Sequence, residues 1–221
     1  MMVDEASYTA LSDRFRALWM RSLPPEVKMN VNPVYDNLAR HYCEPGRYYH
    51  DWTHLKHCLR EFDRAAARME IPDAVELALW FHDAVYVPGG VDNEQLSANL
   101  FCHWGRAWFS PKLVDKVTGF ILTTMHRQTP DKGDESYMVD IDLSSFGQQW
   151  SDFMRDTHNV RKEQTHVPDA IYYHAHAKFL RMLLDRPRIF YTDFFFDCYE
   201  KSARRNIERL LTSARYLDGI V

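Results

Sequence analysis

Five residues, spread over three short segments, have side chains that bind divalent cations: His50, His54, His82, Asp83 and Asp142. Imidazole nitrogens and carboxylate oxygens are ligands shared by zinc and the first-row transition metals. Such a set can hold an ion and still leave coordination positions for water and for a substrate oxygen. These residue types therefore predict a metal-dependent hydrolase.

The spacing of these residues requires helices to bring them together. His50 and His54 are four positions apart, so on a helix they share one face, with Cβ atoms about 5–6 Å apart. Either both bind one ion, or one binds while the other faces the substrate. His82 and Asp83 are adjacent, and adjacent helical positions point about 100° apart, so both reach one ion only from a helix end. Asp142 lies in a further predicted helix, after a loop.

Apolar residues at helical spacing predict helices along most of the chain. The predicted segments are 7–22, a helix beginning at Asn32-Pro33, 51–69, 72–81, Ser110-Pro111 to near His126, Pro168-Asp169 to Leu184, and about 192–211. The predicted loops are 44–49, 86–92, 127–135 and 185–191. Alternating runs typical of strands are rare in the sequence. We therefore expect one all-α helical bundle over residues 1–221, with a metal core at about 33–145 and helices of 146–221 packed on it.

The overall composition excludes several kinds of partner. Charged residues make up 26% of the chain and the net charge is −4, whereas a surface for a nucleic-acid polymer needs clustered Lys and Arg. No apolar run approaches the ~18 residues of a membrane span. The four cysteines include no C-x-x-C pair, and residues 1–5 lack a signal pattern. We expect a cytoplasmic protein without nucleic-acid or membrane partners.

The order of these motifs resembles the HD-domain superfamily of metal-dependent phosphohydrolases. Tyr49-His50-Asp51-x-x-His54 is similar to the Y-H-N-x-x-H motif of cyclic nucleotide phosphodiesterases, which share that metal core, and Asp142-Leu143-Ser144 resembles the family's D-L-S. The resemblance implies an HD-type bundle in which His54, His82, Asp83 and Asp142 bind the metal and His50 is the proton donor. It favours Asp142 over Asp140 as the last ligand. Asp51 stands where the family has asparagine.

Three further motifs extend the resemblance over almost the whole chain. They are Trp80 to Tyr86, Asp92-Asn93-Glu94 with Ser97-Ala98, and Ala203-Arg204-Arg205-Asn206. These motifs are similar to those of a bacterial group of HD-superfamily metal-dependent phosphohydrolases. The resemblance implies the fold and the reaction class, and it leaves the substrate open.

Two residues outside the main set are candidates for the same site. Glu94 follows the Gly89-Gly90 loop, so it either faces the site as a base or supporting carboxylate, or is a solvated residue in the first turn of a helix, where the helix dipole favours it. His126 ends a predicted helix between the His-Asp doublet and Asp142. In some HD proteins extra histidines in this interval bind a second ion. His103 falls in the same interval, but we expect it at the surface or in packing.

A phosphate group needs cationic or N–H partners. Arg47 precedes the His50 segment and Arg127 follows His126, so either is a candidate for substrate phosphate, the alternative being a solvated surface arginine. The aromatic run of residues 190–199 is expected in the core or in a homodimer contact, the alternative being that it forms the wall of a base-stacking pocket.

The sequence thus predicts a phosphohydrolase that uses His50, Asp83 and Glu94 on a nucleotide or other small phosphoester. The expected cofactor is a divalent ion among Mn, Zn, Mg, Ni, Co and Fe. Two alternatives stay open: a di-iron oxygenase, which needs the extra histidines as ligands, and a sensor that binds metal or nucleotide without catalysis.

Overall fold

The computed structural model describes residues 5–213 and 216, with side chains from Tyr8 onward. The predicted domain of residues 1–221 also includes residues 1–4, 214–215 and 217–221, and the predicted lack of a signal pattern concerns residues 1–5; residues 1–4, 214–215 and 217–221 lie outside the described residues. The described chain contains no strand and forms ten α-helices and two short 3-10 helices. The α-helices are α1 Glu5–Arg21, α2 Asn32–Tyr42, α3 Trp52–Ala65, α4 Pro72–Phe81, α5 Asn93–Gly105, α6 Pro111–Thr123, α7 Asp134–Leu143, α8 Trp150–Glu163, α9 Asp169–Asp185 and α10 Asp193–Leu211; the 3-10 helices are Ala66–Arg68 and Ser144–Gly147. The prediction of an all-α bundle is confirmed.

Helix α4 is the centre of the fold. All residues from Ala74 to Phe81 are buried, and α1, α3, α5, α6 and α7 pack around this helix. Its one buried charge is Glu76, whose two oxygens accept from Arg14 Nε at 2.7 Å and Arg21 Nη2 at 2.9 Å. Because α4 is buried along its length to Phe81, the residue that follows at its carboxyl end, His82, also lies in the interior.

Proline and side-chain caps begin several helices where the sequence predicts them. Pro33, Pro72 and Pro111 lie in the first turn of α2, α4 and α6, where the missing N–H costs no hydrogen bond. The predicted 51–69 helix ends as α-helix at Ala65 and continues as 3-10 to Arg68. Helix α8 was not predicted as a separate element, and it contributes to the candidate site.

The carboxyl-terminal helices belong to the same hydrophobic core, which extends from Phe15 to Tyr216. In the aromatic run, Phe190 and Phe195 are fully buried, which confirms the expected core position for these two; the homodimer stays a prediction. Asn206 donates to the Phe146 carbonyl at 2.9 Å and to that of Gln148, and so ties α10 to the 3-10 helix that follows α7. No helix of the described chain is long and apolar enough to cross a bilayer.

Candidate metal centre

Three helices bring the predicted metal ligands together. His54 lies on α3, His82 caps the carboxyl end of α4 and precedes Asp83, and Asp142 lies on α7. The ring of His82 is oriented by a 2.8 Å hydrogen bond between its Nδ1 and the Leu79 carbonyl. An imidazole whose Nδ1 is held by a carbonyl presents its Nε2 to the interior as a ligand.

The ligand atoms lie at distances that suit one ion. His54 Nε2 is 3.3 Å from His82 Nε2, 3.4 Å from Asp83 Oδ2 and 3.2 Å from Asp142 Oδ1. His82 Nε2 is 3.1 Å from Asp83 Oδ2 and 3.7 Å from Asp142 Oδ1. Nitrogen and oxygen ligands about 2.0–2.2 Å from a shared ion are roughly 3.3–3.6 Å apart in a tetrahedron. The residues present therefore fit a divalent cation.

Cys58 adds a sulfur atom that the sequence analysis did not place at this site. Its thiol is fully buried, and Sγ is 3.5 Å from His54 Nε2. Ligand atoms of His54, Cys58, His82 and Asp142 all lie within 4.8 Å of one another, so this group could hold a metal ion. The available signal was the four-residue spacing from His54 to Cys58, which puts both on one face of α3.

Opposite charges stabilise one another in this buried cluster. Burial raises the pKa of Asp83, but His82 and His50 outweigh it and hold the pKa below its usual value. Burial lowers the pKa of His82, but Asp83 and Asp142 outweigh it and raise the pKa well above 6.5. The two carboxylates thus favour positive charge at this point of the interior, which is the electrostatic condition for binding a cation.

The two carboxylate oxygens of Asp142 face different histidines. While Oδ1 faces His54, Oδ2 is 2.9 Å from His126 Nε2. The backbone of His126 has φ +54°, a region that non-glycine residues seldom occupy and that occurs at functional sites. Asp140 is elsewhere: its carboxylate accepts from the Tyr191 and Thr192 N–H groups at 2.8 and 2.7 Å and holds the start of α10. The geometry therefore places Asp142, and not Asp140, with the other ligands.

His50 is fixed beside this cluster by a buried glutamate. Glu163 Oε2 is 2.6 Å from His50 Nδ1, and Glu163 Oε1 accepts the backbone N–H groups of Tyr48, Tyr49 and His50 at 2.7, 2.7 and 3.0 Å. Tyr86 stacks on the imidazole with ring centroids 4.1 Å apart. Burial raises the pKa of Glu163, but His50 and the backbone donors outweigh it and lower the pKa. Glu163, for which the sequence indicated no role, thus orients His50 through this hydrogen bond.

A cavity of about 270 Å³ opens over the cluster. Its wall includes His50, Asp83, Glu94, His126 and Asp142 together with residues of the carboxyl-terminal helices: Phe146, Phe153, Asp156, Thr157, Val160, His176 and Phe179. Glu94 is half-buried, and burial together with Asp83 and Asp142 raises its pKa. The helices after residue 145, predicted only to pack on the core, therefore form one side of the site.

Three sequence candidates lie away from this cavity. Arg47 is buried, and its guanidinium donates to the carbonyls of His50, Asp83 and Ala84 at 3.0, 2.6 and 2.7 Å and to Glu44. The predicted contact with substrate phosphate is thus replaced by a structural role, since all three nitrogens of Arg47 are engaged. Arg127 donates to the Val91 carbonyl at 3.0 Å outside the cavity wall. His103 is exposed, as expected.

No model of a known protein family, no curated protein and no solved structure matches this chain. The function of the site is therefore inferred from its own geometry and chemistry.

Proposed function

We propose that this protein is a metal-dependent phosphohydrolase of the HD-domain superfamily that acts on a small phosphoester. The observation that carries the proposal is the convergence of His54, His82, Asp83 and Asp142 at the base of a cavity whose wall holds His50. A set of metal ligands alone is also compatible with a metal-storage protein or with an ion that only stabilises the fold. An imidazole that is held by a buried carboxylate and lies in the wall of the same cavity is the arrangement that general acid catalysis uses.

Each residue of the cluster has a distinct role in the proposed reaction. A divalent ion held there lowers the pKa of its bound water and polarises a phosphate oxygen. We assign Asp83, which lines the cavity, the role of accepting a hydrogen bond from the attacking water. His50, with its Nδ1–H held by Glu163, presents its other nitrogen to the cavity and donates a proton to the leaving oxygen. Glu94, which also lines the cavity, is a candidate to position the water.

The test combines metal analysis with a substrate panel. Protein purified without chelator should contain one or two equivalents of metal, and it should hydrolyse members of a panel of phosphomonoesters and phosphodiesters supplemented with Mn, Mg, Co, Ni or Zn. His50→Gln should keep the metal and lose most of the turnover. Loss of metal in that variant would reassign His50 as a ligand, and bound metal without turnover on any substrate would favour a sensor.

The position of His126 supports a second candidate. Its Nε2 lies 2.9 Å from the oxygen of Asp142 that faces away from His54, so Asp142 could bridge two ions. A pair of iron ions in this position would favour the di-iron oxygenase over the phosphohydrolase. Iron as the dominant metal, at two equivalents per chain and with oxygen consumption, would establish that alternative.

We also propose a cytoplasmic location. The cysteines that the structure describes are free thiols, which suits a reducing compartment. Fractionation of cells that produce the protein tests this location.

A further inference from the structure

The negative charge of the cavity wall limits how many phosphate groups a substrate can have. Four carboxylates line it, from Asp83, Glu94, Asp142 and Asp156, and no Lys or Arg is among the described residues of the wall. A divalent ion and a protonated His50 would bring positive charge to the site, but Asp83 and Asp142 already offset the charge of the ion, so little remains beyond what a single phosphate needs. A second or third phosphate would lie near carboxylates without a cationic partner, and buried unpaired charge is strongly disfavoured.

One side of the cavity is aromatic. Phe146 lies 6.0 Å from Phe153 and 6.3 Å from Phe179, measured between ring centroids. Phe179 is also 6.3 Å from the ring of His126, so the aromatic surface begins next to the metal ligands. Phe153 is buried, whereas Phe146 and Phe179 are partly exposed and have surface available to a ligand. Aromatic pairs of this kind favour a flat apolar group as a further partner.

Helix α8 gives the cavity a length and a polar far end. Phe153, Asp156, Thr157 and Val160 line the cavity from this helix, at spacings that form one helical face. The same helix ends at Glu163, which holds His50. With a rise of 1.5 Å per residue, Asp156 lies about 10 Å along the axis from Glu163. The cavity thus has wall residues from His50 to Asp156 along this helix, where the remainder of a substrate whose phosphoryl group lies beside His50 would be held.

Asp156 retains acceptor capacity toward this space. Its Oδ1 accepts from Arg155 Nε at 3.1 Å and from Arg155 Nη2 at 3.0 Å, and its Oδ2 accepts from Gln148 Nε2 at 3.3 Å. The Arg155 side chain is 51% exposed, so solvent screens this ion pair. A carboxylate has about four lone-pair positions, and the one left over, on Oδ2, suits an N–H or ammonium donor.

From the charge, the aromatic wall and the length together, we infer that the substrate is an aromatic phosphomonoester whose ring carries an amine or N–H donor, and that polyphosphates are excluded. This inference rests on the proposed function, since the phosphoryl group is placed at the metal centre. The aromatic wall binds the ring, and Asp156 binds the donor.

A matched set of substrates tests the inference. The set is phenyl phosphate, 4-(aminomethyl)phenyl phosphate, glycerol 3-phosphate, inorganic pyrophosphate and ATP. The expected order of kcat/KM places the aminated aryl ester first, at least tenfold above glycerol 3-phosphate, and places pyrophosphate and ATP last. A preference for pyrophosphate or ATP over phenyl phosphate would overturn the inference while leaving the phosphohydrolase intact.

Two variants of α8 locate the donor site. Asp156→Asn should reduce the kcat/KM ratio of the aminated to the plain aryl ester about tenfold, toward one. Asp152→Asn is the control, because Asp152 lies on the same helix, is half-exposed and is outside the cavity wall; it should keep the wild-type ratio. Equal ratios in wild type and Asp156→Asn would refute the assignment of Asp156.

Binding measurements separate this inference from the proposed function. Phenylphosphonate and 4-(aminomethyl)phenylphosphonate are titrated into the Mn-loaded protein by calorimetry. Tighter binding of the aminated phosphonate, lost in Asp156→Asn, supports the substrate class even if no ester is turned over, in which case only the hydrolase proposal fails. Hydrolysis of esters with equal binding of the two phosphonates refutes the substrate class alone, and the absence of phosphonate binding together with the absence of hydrolysis of any ester refutes both.

Discussion

Glu163→Gln is the substitution that tests the proposed mechanism most directly. The carboxylate accepts a 2.6 Å hydrogen bond from His50 Nδ1 and three backbone N–H bonds. The amide oxygen of glutamine can still accept from the backbone, whereas its NH2 group cannot accept the Nδ1 proton of His50. The specific loss is therefore the charge-assisted bond to the imidazole. Replacement by alanine would be less informative, because three buried N–H groups without partners cost about 1–3 kcal/mol each.

The magnitude follows from that one bond. Hydrogen bonds to charged groups contribute about 1.5–3 kcal/mol, and each 1.36 kcal/mol of transition-state stabilisation is tenfold in rate. Glu163→Gln should therefore lower kcat about 10- to 100-fold. KM and metal content should change little, since Glu163 is not itself among the residues of the cavity wall, and its hydrogen bonds go to residues 48–50, none of which is a proposed metal ligand.

Steady-state kinetics on the best substrate of the panel, with metal analysis of each variant, provides the assay. Because Glu163 acts through His50, the double variant with His50→Gln should be no slower than His50→Gln alone. Glu200→Gln is the matched control: Glu200 is also buried and also accepts backbone N–H groups, of Ile189 and Phe190, but it lies outside the cavity wall. It should lose stability and keep kcat. Independent, multiplying effects of the Glu163 and His50 substitutions would refute the reasoning.

Four other changes have defined outcomes. His82→Gln should reduce bound metal to less than a tenth of the wild-type content by elemental analysis, and the exposed His103→Gln should bind as wild type. Chelation should lower Tm by roughly 5–10 °C in calorimetry, because an ion at about 100 times its Kd contributes about 2.7 kcal/mol; an unchanged Tm would contradict a folded-state site. Burial, with positive charge on nearby groups, lowers the pKa of His57 from 6.5 to about 3. The contribution of neutral His57 to stability is therefore complete above pH 6.5 and is lost as the pH falls toward 3. In His57→Gln, the free energy of unfolding measured with urea should depend less on pH over that range. Gly147→Ala would place a Cβ 2.5 Å from Tyr199 Cβ and should lower the free energy of unfolding by about 1–3 kcal/mol, while a fully stable variant would show that α10 can shift at this contact.

The local features of the chain were predictable because they depend on nearby residues. Apolar spacing predicted the helices, and Pro33, Pro72 and Pro111 marked three helix starts, since both signals act within one or two turns. The grouping of His54, His82 and Asp142 could be expected from residue type and motif order. The sequence also left Asp140 and Asp142 as neighbouring candidates, and only hydrogen bonds to residues 191–192 show that Asp140 is engaged elsewhere.

The sequence by itself determined an all-α chain with a set of potential metal ligands. The tertiary structure decided which groups surround these metal ligands, because a contact between distant segments leaves no pattern in the local sequence. Glu163 reaches His50 across 113 positions, and Cys58 meets His82 only through the packing of α3 on α4. Arg47 is likewise buried, and its N–H groups donate hydrogen bonds to carbonyls of two separate segments. The direction in which a side chain points is set by the helices against which its own helix packs, and that is a property of the whole fold.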